Sequence, residues 1–204
     1  LAIVLTYLLK EKTKPAQPHT QKISFFYFFR YWNEAPAAYR QLVVGLLIFA
    51  LINSSDVFLL LWVRQAGLSD VQAIGAYIFY NLIYALAAYP FGIWADRIGV
   101  KRVFLIGLIL FCIVYAGMIV VNSLTGFVFL FFIYGLFAAA TEGVAKAWIS
   151  YITPATETAT AIGTYTGFQS ICALLASSLT GWIWFQFGAG MAFGITAATT
   201  LLLV

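Results

Sequence analysis

Long runs of apolar residues, separated by short polar segments, dominate the pattern along this chain. The runs do not alternate strictly between polar and apolar positions, which predicts helices rather than the strands of a membrane barrel. A hydrocarbon layer about 30 Å thick requires about 20 apolar residues for one helical crossing. The pattern therefore predicts an all-α, polytopic transmembrane bundle, with spans at about 41–63, 71–93, 103–121, 126–149, 160–184 and 191–204.

The segments at the two ends of the chain are shorter. We interpret residues 1–9 as the end of a preceding span and 191–204 as a truncated span, so we expect a fragment of a longer protein. Residues 10–40 form a basic linker that contains an amphipathic, interfacial helix ended by Pro36. The aromatic face of that helix follows helical spacing and consists of Phe25, Phe26, Phe28, Phe29 and Trp32.

Composition supports a lipid environment. Hydrophobic residues make up 63% of the chain and charged residues 9%, whereas a soluble domain carries about 25% charged residues. The net charge of +4 does not indicate a nucleic-acid partner, because the basic residues cluster in short loops between apolar runs. Apart from Arg64, the loop Lys and Arg residues fall in 10–40 and 94–102, so we expect these segments to be cytoplasmic, at a bacterial inner membrane.

One loop carries a motif. After the second span the chain reads Gly92-Ile-Trp-Ala95-Asp96-Arg97-Ile-Gly99-Val100-Lys101-Arg102. The two glycines permit a tight turn, and Asp96 can accept hydrogen bonds from the free N–H groups of a helix start. A plain turn rich in positive charge is the alternative interpretation. The segment resembles the signature of the major facilitator superfamily, with departures at Trp94 and Val100.

This resemblance covers almost the whole chain and has several implications. It implies the C-terminal six-helix half of a transporter, built as 3+3 inverted helix repeats, with an absent N-terminal half as partner. It also implies that the loop latches one half against the other on the cytoplasmic side, with Asp96 as the switchable residue. The gating residues would be Gly92, Asp96, Arg97, Gly99, Lys101 and Arg102.

Polar residues inside the spans are few and confined to spans one, two, four and five. An ionised group at the bilayer centre costs about 2.5–3.5 kcal/mol on insertion scales, so such groups usually face an internal cavity. The third span is almost entirely apolar, and the visible part of the sixth has only threonines, as expected for lipid-facing helices. The candidate substrate- or proton-binding residues are Asn53, Asp56, Tyr77, Asn81, Glu142, Lys146, Tyr165 and Gln169.

Each candidate has a structural alternative. Glu142 and Lys146 have the i, i+4 spacing of an intrahelical ion pair, which would only stabilise insertion. Asp56 has no cation nearby on its own helix, and burial would disfavour its charge, which suits proton binding. Alternatively, Asn53 and the adjacent serines hydrogen-bond it structurally. The alternative for the tyrosines and amides is that they hold helices together.

The sequence favours a secondary transporter that moves a small organic solute by alternating access, with proton coupling and efflux as further expectations. No phosphate-binding Gly-rich loop is present, the only His is in the linker, and Cys112 and Cys172 are interpreted as small core residues. We therefore expect no cofactor, no metal and no enzyme activity. A channel or receptor on the same scaffold is the alternative, and an intramembrane enzyme is a more remote one.

Overall fold

The computed structural model describes residues 27–204, with side chains from Arg30 onward. Predictions for the 1–9 span end, most of the linker and the Phe25–Phe29 side chains lie outside the described residues. Within them the chain is helical, without strands. The helices are α1 (Tyr27–Glu34), α2 (Ala37–Ala50), α3 (Val57–Gln65), α4 (Asp70–Ile98), α5 (Val100–Val120), α6 (Leu124–Ile152), α7 (Thr158–Phe187) and α8 (Ala189–Leu201).

Four of these helices, α4 to α7, are long and apolar enough to cross a membrane, while α2 and α8 are shorter apolar helices. Most extend a few residues beyond the predicted spans. The extension is largest at the 94–102 segment, which was predicted as a loop. Here α4 continues to Ile98 and α5 begins at Val100, so that Gly99 alone separates them. The all-α transmembrane bundle is thus confirmed, with tighter connections than hydropathy suggests.

The first span is not one continuous helix, contrary to the prediction of a single span at 41–63. It is divided into α2 and α3 by a non-helical segment at residues 51–56. Asn, Ser and Asp side chains compete with the helical backbone for hydrogen bonds, and this segment contains Asn53-Ser-Ser-Asp56. The Ser55 amide donates to Ser177 Oγ on α7 at 3.1 Å instead of to its own helix.

Helix α6 is the centre of the bundle and packs against α2, α4, α5 and α7. Close approach to its neighbours depends on glycines. A Cβ atom on Gly135 of α6 would lie 2.7 Å from the Tyr80 carbonyl oxygen of α4, and one on Gly107 of α5 would lie 2.5 Å from Thr141 Cγ2. The absence of side chains at these two contacts lets α4 and α5 pack closely on α6.

The exposed faces of the bundle differ from the expectation that the most apolar spans face outward. Helices α4 and α7 carry large exposed apolar side chains, including Val71, Tyr89 and Phe185, each more than three-quarters exposed. Helix α5 instead buries Phe111, Val114 and other residues against α6 and α8. Hydropathy alone cannot tell an apolar surface that contacts lipid from one that contacts other helices.

Helix α1 is docked on the bundle. The Tyr31 hydroxyl donates to Glu157 Oε2 at 3.4 Å, and the Trp32 ring packs edge-on against Phe168 of α7 with centroids 5.4 Å apart. Pro36, directly before α2, separates the two helices as predicted. The exposed face of α1 carries the ion pair between Arg30 and Glu34, at 2.9 Å.

Candidate functional site: an acidic cavity beside the broken span

A cavity of about 100 Å³ lies between α2, the broken segment, α4, α6 and α7. It has room for several water molecules. Five of the eight residues predicted to bind substrate or protons line it together, although they come from three separate spans. They are Asn53, Asp56, Glu142, Tyr165 and Gln169.

Asp56 is held by two phenols from different helices. The Tyr80 hydroxyl of α4 donates to Asp56 Oδ2 at 2.5 Å, and the Tyr134 hydroxyl of α6 donates to Asp56 Oδ1 at 2.5 Å. Both tyrosines are buried, and their rings contact each other edge-on with centroids 5.2 Å apart. The structure therefore gives Asp56 partners other than the Asn53 and serine side chains considered from the sequence.

Glu142 has a more open setting on α6. Its side chain is exposed, and it lies within interaction range of the Tyr84 and Tyr165 hydroxyls. Lys146, one turn further, is also exposed and does not line the cavity. The ion pairs of the described residues join Arg30 to Glu34 and Arg64 to Asp70. The intrahelical Glu142–Lys146 pair considered from the sequence is therefore absent.

The cavity is acidic and aromatic. Two carboxylates and three tyrosines are among its lining residues, and among the described residues no Lys, Arg or His side chain lines it. Each carboxylate oxygen of Asp56 accepts a hydrogen bond from a buried tyrosine, whereas Glu142 is exposed. An enclosed carboxylate favours a proton or another cation over an anion.

Three predicted site residues lie elsewhere. Tyr77 is exposed, and the Asn81 side-chain amide donates to the Tyr77 carbonyl of its own helix at 2.8 Å. Lys146 is not among the residues that line the cavity. Tyr77 and Asn81 lie four residues apart on α4, but the α4 side chain that lines the cavity is Tyr80.

Sequence reasoning missed Tyr80, Tyr134 and Thr141. A signal for Tyr134 was present, because Tyr134, Ala138 and Glu142 recur every four residues and share one helix face. Thr141 satisfies its own hydroxyl by donating to the Phe137 carbonyl at 2.9 Å. No comparable signal marks Tyr80, since only the packing of α4 against the broken segment brings it to Asp56.

Two buried oxygens have no hydrogen-bond partner among the described residues, Asn53 Oδ1 in the broken segment and the Thr164 hydroxyl of α7. The Ser54 and Tyr115 hydroxyls lie within interaction range of each other. Buried polar atoms without a protein partner usually find one in water or a ligand. Of the two unpartnered oxygens, Asn53 Oδ1 belongs to a residue that lines the cavity together with Asp56.

The motif at residues 92–102 is mostly helical. Gly92, Asp96 and Arg97 belong to α4, Lys101 and Arg102 to the first turn of α5, and Gly99 connects the helices with a φ of +98° that favours glycine. Asp96 lies in the last turn of α4 and accepts a hydrogen bond from the Tyr151 hydroxyl of α6 at 2.7 Å. The prediction that Asp96 caps a helix start is therefore wrong.

Gly92 and Asp96 also line an opening of about 360 Å³ between α4 and α6. Small residues form its walls, and a Cβ atom added to Gly92 or to Gly143 would meet nothing within 4 Å. Tyr84 lines its other end and is also near Glu142. Tyr84, Ala88, Gly92 and Asp96 therefore form one row along α4. The row runs from the motif to Tyr84, which lies near Glu142.

Comparison with known proteins identifies the class. The family model of the Major Facilitator Superfamily matches residues 41–204, which include every helix from α3 to α8 and most of α2. The chain belongs to the Major Facilitator Superfamily. A curated relative in Methanocaldococcus jannaschii, described as an uncharacterised MFS-type transporter, is 30% identical over 190 residues. That match covers 90% of this chain and 46% of the relative, so the chain spans about half the length of the relative.

Membership of this superfamily agrees with the apolar helices. The chain is an integral, multi-pass membrane protein with the lipid bilayer as its solvent. The superfamily consists of transporters rather than enzymes. Cys112 and Cys172 are free, and both are only partly buried, so neither belongs to the buried core.

Proposed function

We propose that this chain is the C-terminal half of a secondary active transporter that moves a small organic solute by alternating access. The observation that carries the proposal is the acidic cavity, in which residues from spans one, four and five of a Major Facilitator chain meet. Its volume, about 100 Å³, is below the 300–1,000 Å³ typical of ligand pockets. The remaining walls of the substrate site would come from the other half of the protein.

The exposed helices support a role for an N-terminal half. Helices α4 and α7 present large apolar side chains on their exposed faces. The match to 46% of the relative is the amount of chain expected for one half of such a protein. We propose that the N-terminal half packs on these faces and rocks against them around the central cavity.

Proton coupling is the energy source that we propose, with Asp56 and Glu142 as the candidate carriers. Both carboxylates line the cavity, and no basic side chain neutralises them there. The distribution of positive charge supports a plasma-membrane protein with the linker and the 94–102 segment in the cytoplasm. Efflux remains a further expectation. Asp96, held by Tyr151 in the described half, is the proposed switchable residue of the cytoplasmic latch.

Reconstitution of the full-length protein tests the proposal. Proteoliposomes with an imposed pH gradient should show saturable uptake of a fluorescent organic solute, and Asp56→Asn should reduce that flux at least tenfold. Asp70→Asn is the matched control, because Asp70 is an exposed acid that pairs with Arg64 at 2.6 Å, outside the cavity. Fast conductance that does not saturate would favour the channel alternative, and equal fluxes with and without the gradient would exclude proton coupling.

A further inference from the structure

Helix α1 packs on the first turns of α7, and one buried ring of α2 contacts both helices. The Tyr39 side chain is fully buried, and its hydroxyl donates to the Ala161 carbonyl of α7 at 2.8 Å. The Tyr31 and Trp32 rings of α1 contact the Tyr39 ring edge-on, with centroids 5.5 and 6.4 Å away. Trp32 also contacts Phe168 of α7, at 5.4 Å. Because aromatic pairs contribute beyond the area that they bury, α1, Tyr39 and the start of α7 form one packed unit.

The residues of α7 that this unit contacts lie beside those that line the cavity. Ala161 and Phe168 are seven residues apart, which places them on one face of the helix. Tyr165 and Gln169 line the cavity from the adjacent face, and Gln169 directly follows Phe168. A movement of the first turns of α7 would therefore move both cavity residues.

Helix α7 is buried at two places in the described structure. Its buried residues form one group near its start, Ala161, Thr164 and Tyr165, and a second group at Ala176 and Thr180. Residues 166–175, between the two groups, are all at least partly exposed. Since local stability follows the density of buried contacts, the position of Gln169 depends on the first group, where α1 and Tyr39 pack.

The hold of α1 on α7 can be released at modest cost. Helix α1 has eight residues, and isolated helices of this length are marginal in water. The Tyr31 hydroxyl lies 3.4 Å from Glu157 Oε2, which is long for a hydrogen bond, and Trp32 is partly exposed. Pro36 separates α1 from α2, so that α1 can undock without unwinding α2.

We infer that α1 is a releasable clamp on α7, which holds Tyr165 and Gln169 in the cavity wall while Trp32 is docked on Phe168. Undocking of α1 frees the first turns of α7 and lets these two side chains leave the cavity wall. The linker that contains α1 thereby controls the geometry of the cavity. The consequence that the linker regulates transport rests on the proposed function, whereas the clamp itself does not.

A native cysteine can report the position of α7 without any transport measurement. Cys172 of α7 is partly buried and lies within interaction range of the Tyr165 hydroxyl. In full-length protein in detergent, with Cys172 as the sole cysteine, Trp32→Ala should accelerate its alkylation by N-ethylmaleimide about fivefold, because loss of an aromatic contact raises the population of locally opened states. Trp32→Phe retains a ring against Phe168 and should keep the wild-type rate.

Trp94→Ala is the matched control, because Trp94 packs on Phe91 within α4 with ring centroids 5.7 Å apart and is 40% exposed. The inference is overturned if Trp32→Ala and wild type are alkylated at the same rate, or if Trp94→Ala accelerates the reaction equally. Should Trp32→Ala fail to fold, Tyr39→Phe removes only the hydroxyl that donates to Ala161. It should also accelerate alkylation, and an unchanged rate in that variant would overturn the inference.

The two proposals of this article fail separately. Faster alkylation of Trp32→Ala in a protein that moves no solute would reject only the proposed transport function. Solute flux in wild-type protein, together with an alkylation rate that Trp32→Ala leaves unchanged, would reject only the clamp.

Discussion

The two acidic side chains of the cavity occupy contrasting regions of the bundle. Asp56 lies in a broken span, where buried tyrosines from α4 and α6 each donate to one carboxylate oxygen at 2.5 Å. Glu142 lies in the unbroken helix α6, is exposed, and adjoins Gly143, beside which there is open space. The first region is enclosed by its own half of the protein, whereas the second faces outward.

The difference follows from local sequence. The side chains of Asn53-Ser-Ser-Asp56 compete for backbone hydrogen bonds, and the helix is interrupted there. Asp56 then contacts tyrosines of α4 and α6. Glu142 instead follows a run of alanines and a threonine, in which α6 remains helical. The 3+3 inverted repeat that the resemblance implies would pair the first span with the fourth, yet the acids of these two spans occupy unequal environments.

The largest expected contrast is in stability. Asp56→Ala leaves two buried phenols without their acceptor, and hydrogen bonds to a charged group contribute about 1.5–3 kcal/mol each. We therefore expect a loss of about 3–6 kcal/mol in the free energy of unfolding, measured by denaturant titration in detergent. Glu142→Ala should change it by less than about 0.5 kcal/mol, as is usual for exposed positions. Equal losses would show that the two regions do not differ as described.

A smaller contrast is expected from two glycines of α6. A Cβ atom at Gly135 would approach the Tyr80 carbonyl oxygen to 2.7 Å and Ile83 Cβ to 2.8 Å, whereas one at Gly143 meets nothing within 4 Å. Gly135→Ala should cost about 1–3 kcal/mol through overpacking, and it should also displace Tyr80 from Asp56. Gly143→Ala should be neutral or slightly stabilising, because Ala is a better helix former than Gly. Thermal unfolding of both variants provides the comparison, and a destabilised Gly143→Ala would contradict an open groove there.

The smallest effect is expected at Lys146. Because this exposed side chain forms no ion pair with Glu142 in the described structure, Lys146→Ala should change the unfolding free energy by less than about 0.5 kcal/mol. Glu142→Ala combined with Lys146→Ala should show no coupling in a double-mutant cycle. A coupling energy above about 0.5 kcal/mol would show that Glu142 and Lys146 do form the intrahelical ion pair that their spacing suggests.

Much of the candidate site was predictable because acids and amides are costly in lipid. That cost alone singled out Asp56, Glu142 and Gln169, and all three line the cavity. The same reasoning named Tyr77 and Asn81, which do not line this cavity but lie at the exposed surface of α4, so their role stays a prediction. Tyr80 was not predicted, because the sequence does not show which neighbouring helix a tyrosine in an apolar run faces.

The sequence by itself determined that this chain is an all-α, multi-pass membrane protein. Charge depletion and apolar runs of spanning length are properties of composition and order, and they need no knowledge of packing. The cytoplasmic motif also indicated the family correctly.

Only the tertiary structure decided where the first span breaks, which phenols hold Asp56, and which helices present exposed faces. Each of these depends on contacts between residues far apart in the chain, such as Ser55 with Ser177 and Asp56 with Tyr134. Hydropathy is a sum over neighbours in sequence, whereas a hydrogen bond depends on distance and angle in space. For that reason the sequence predicted a membrane protein, but it did not predict which hydroxyl groups donate to Asp56.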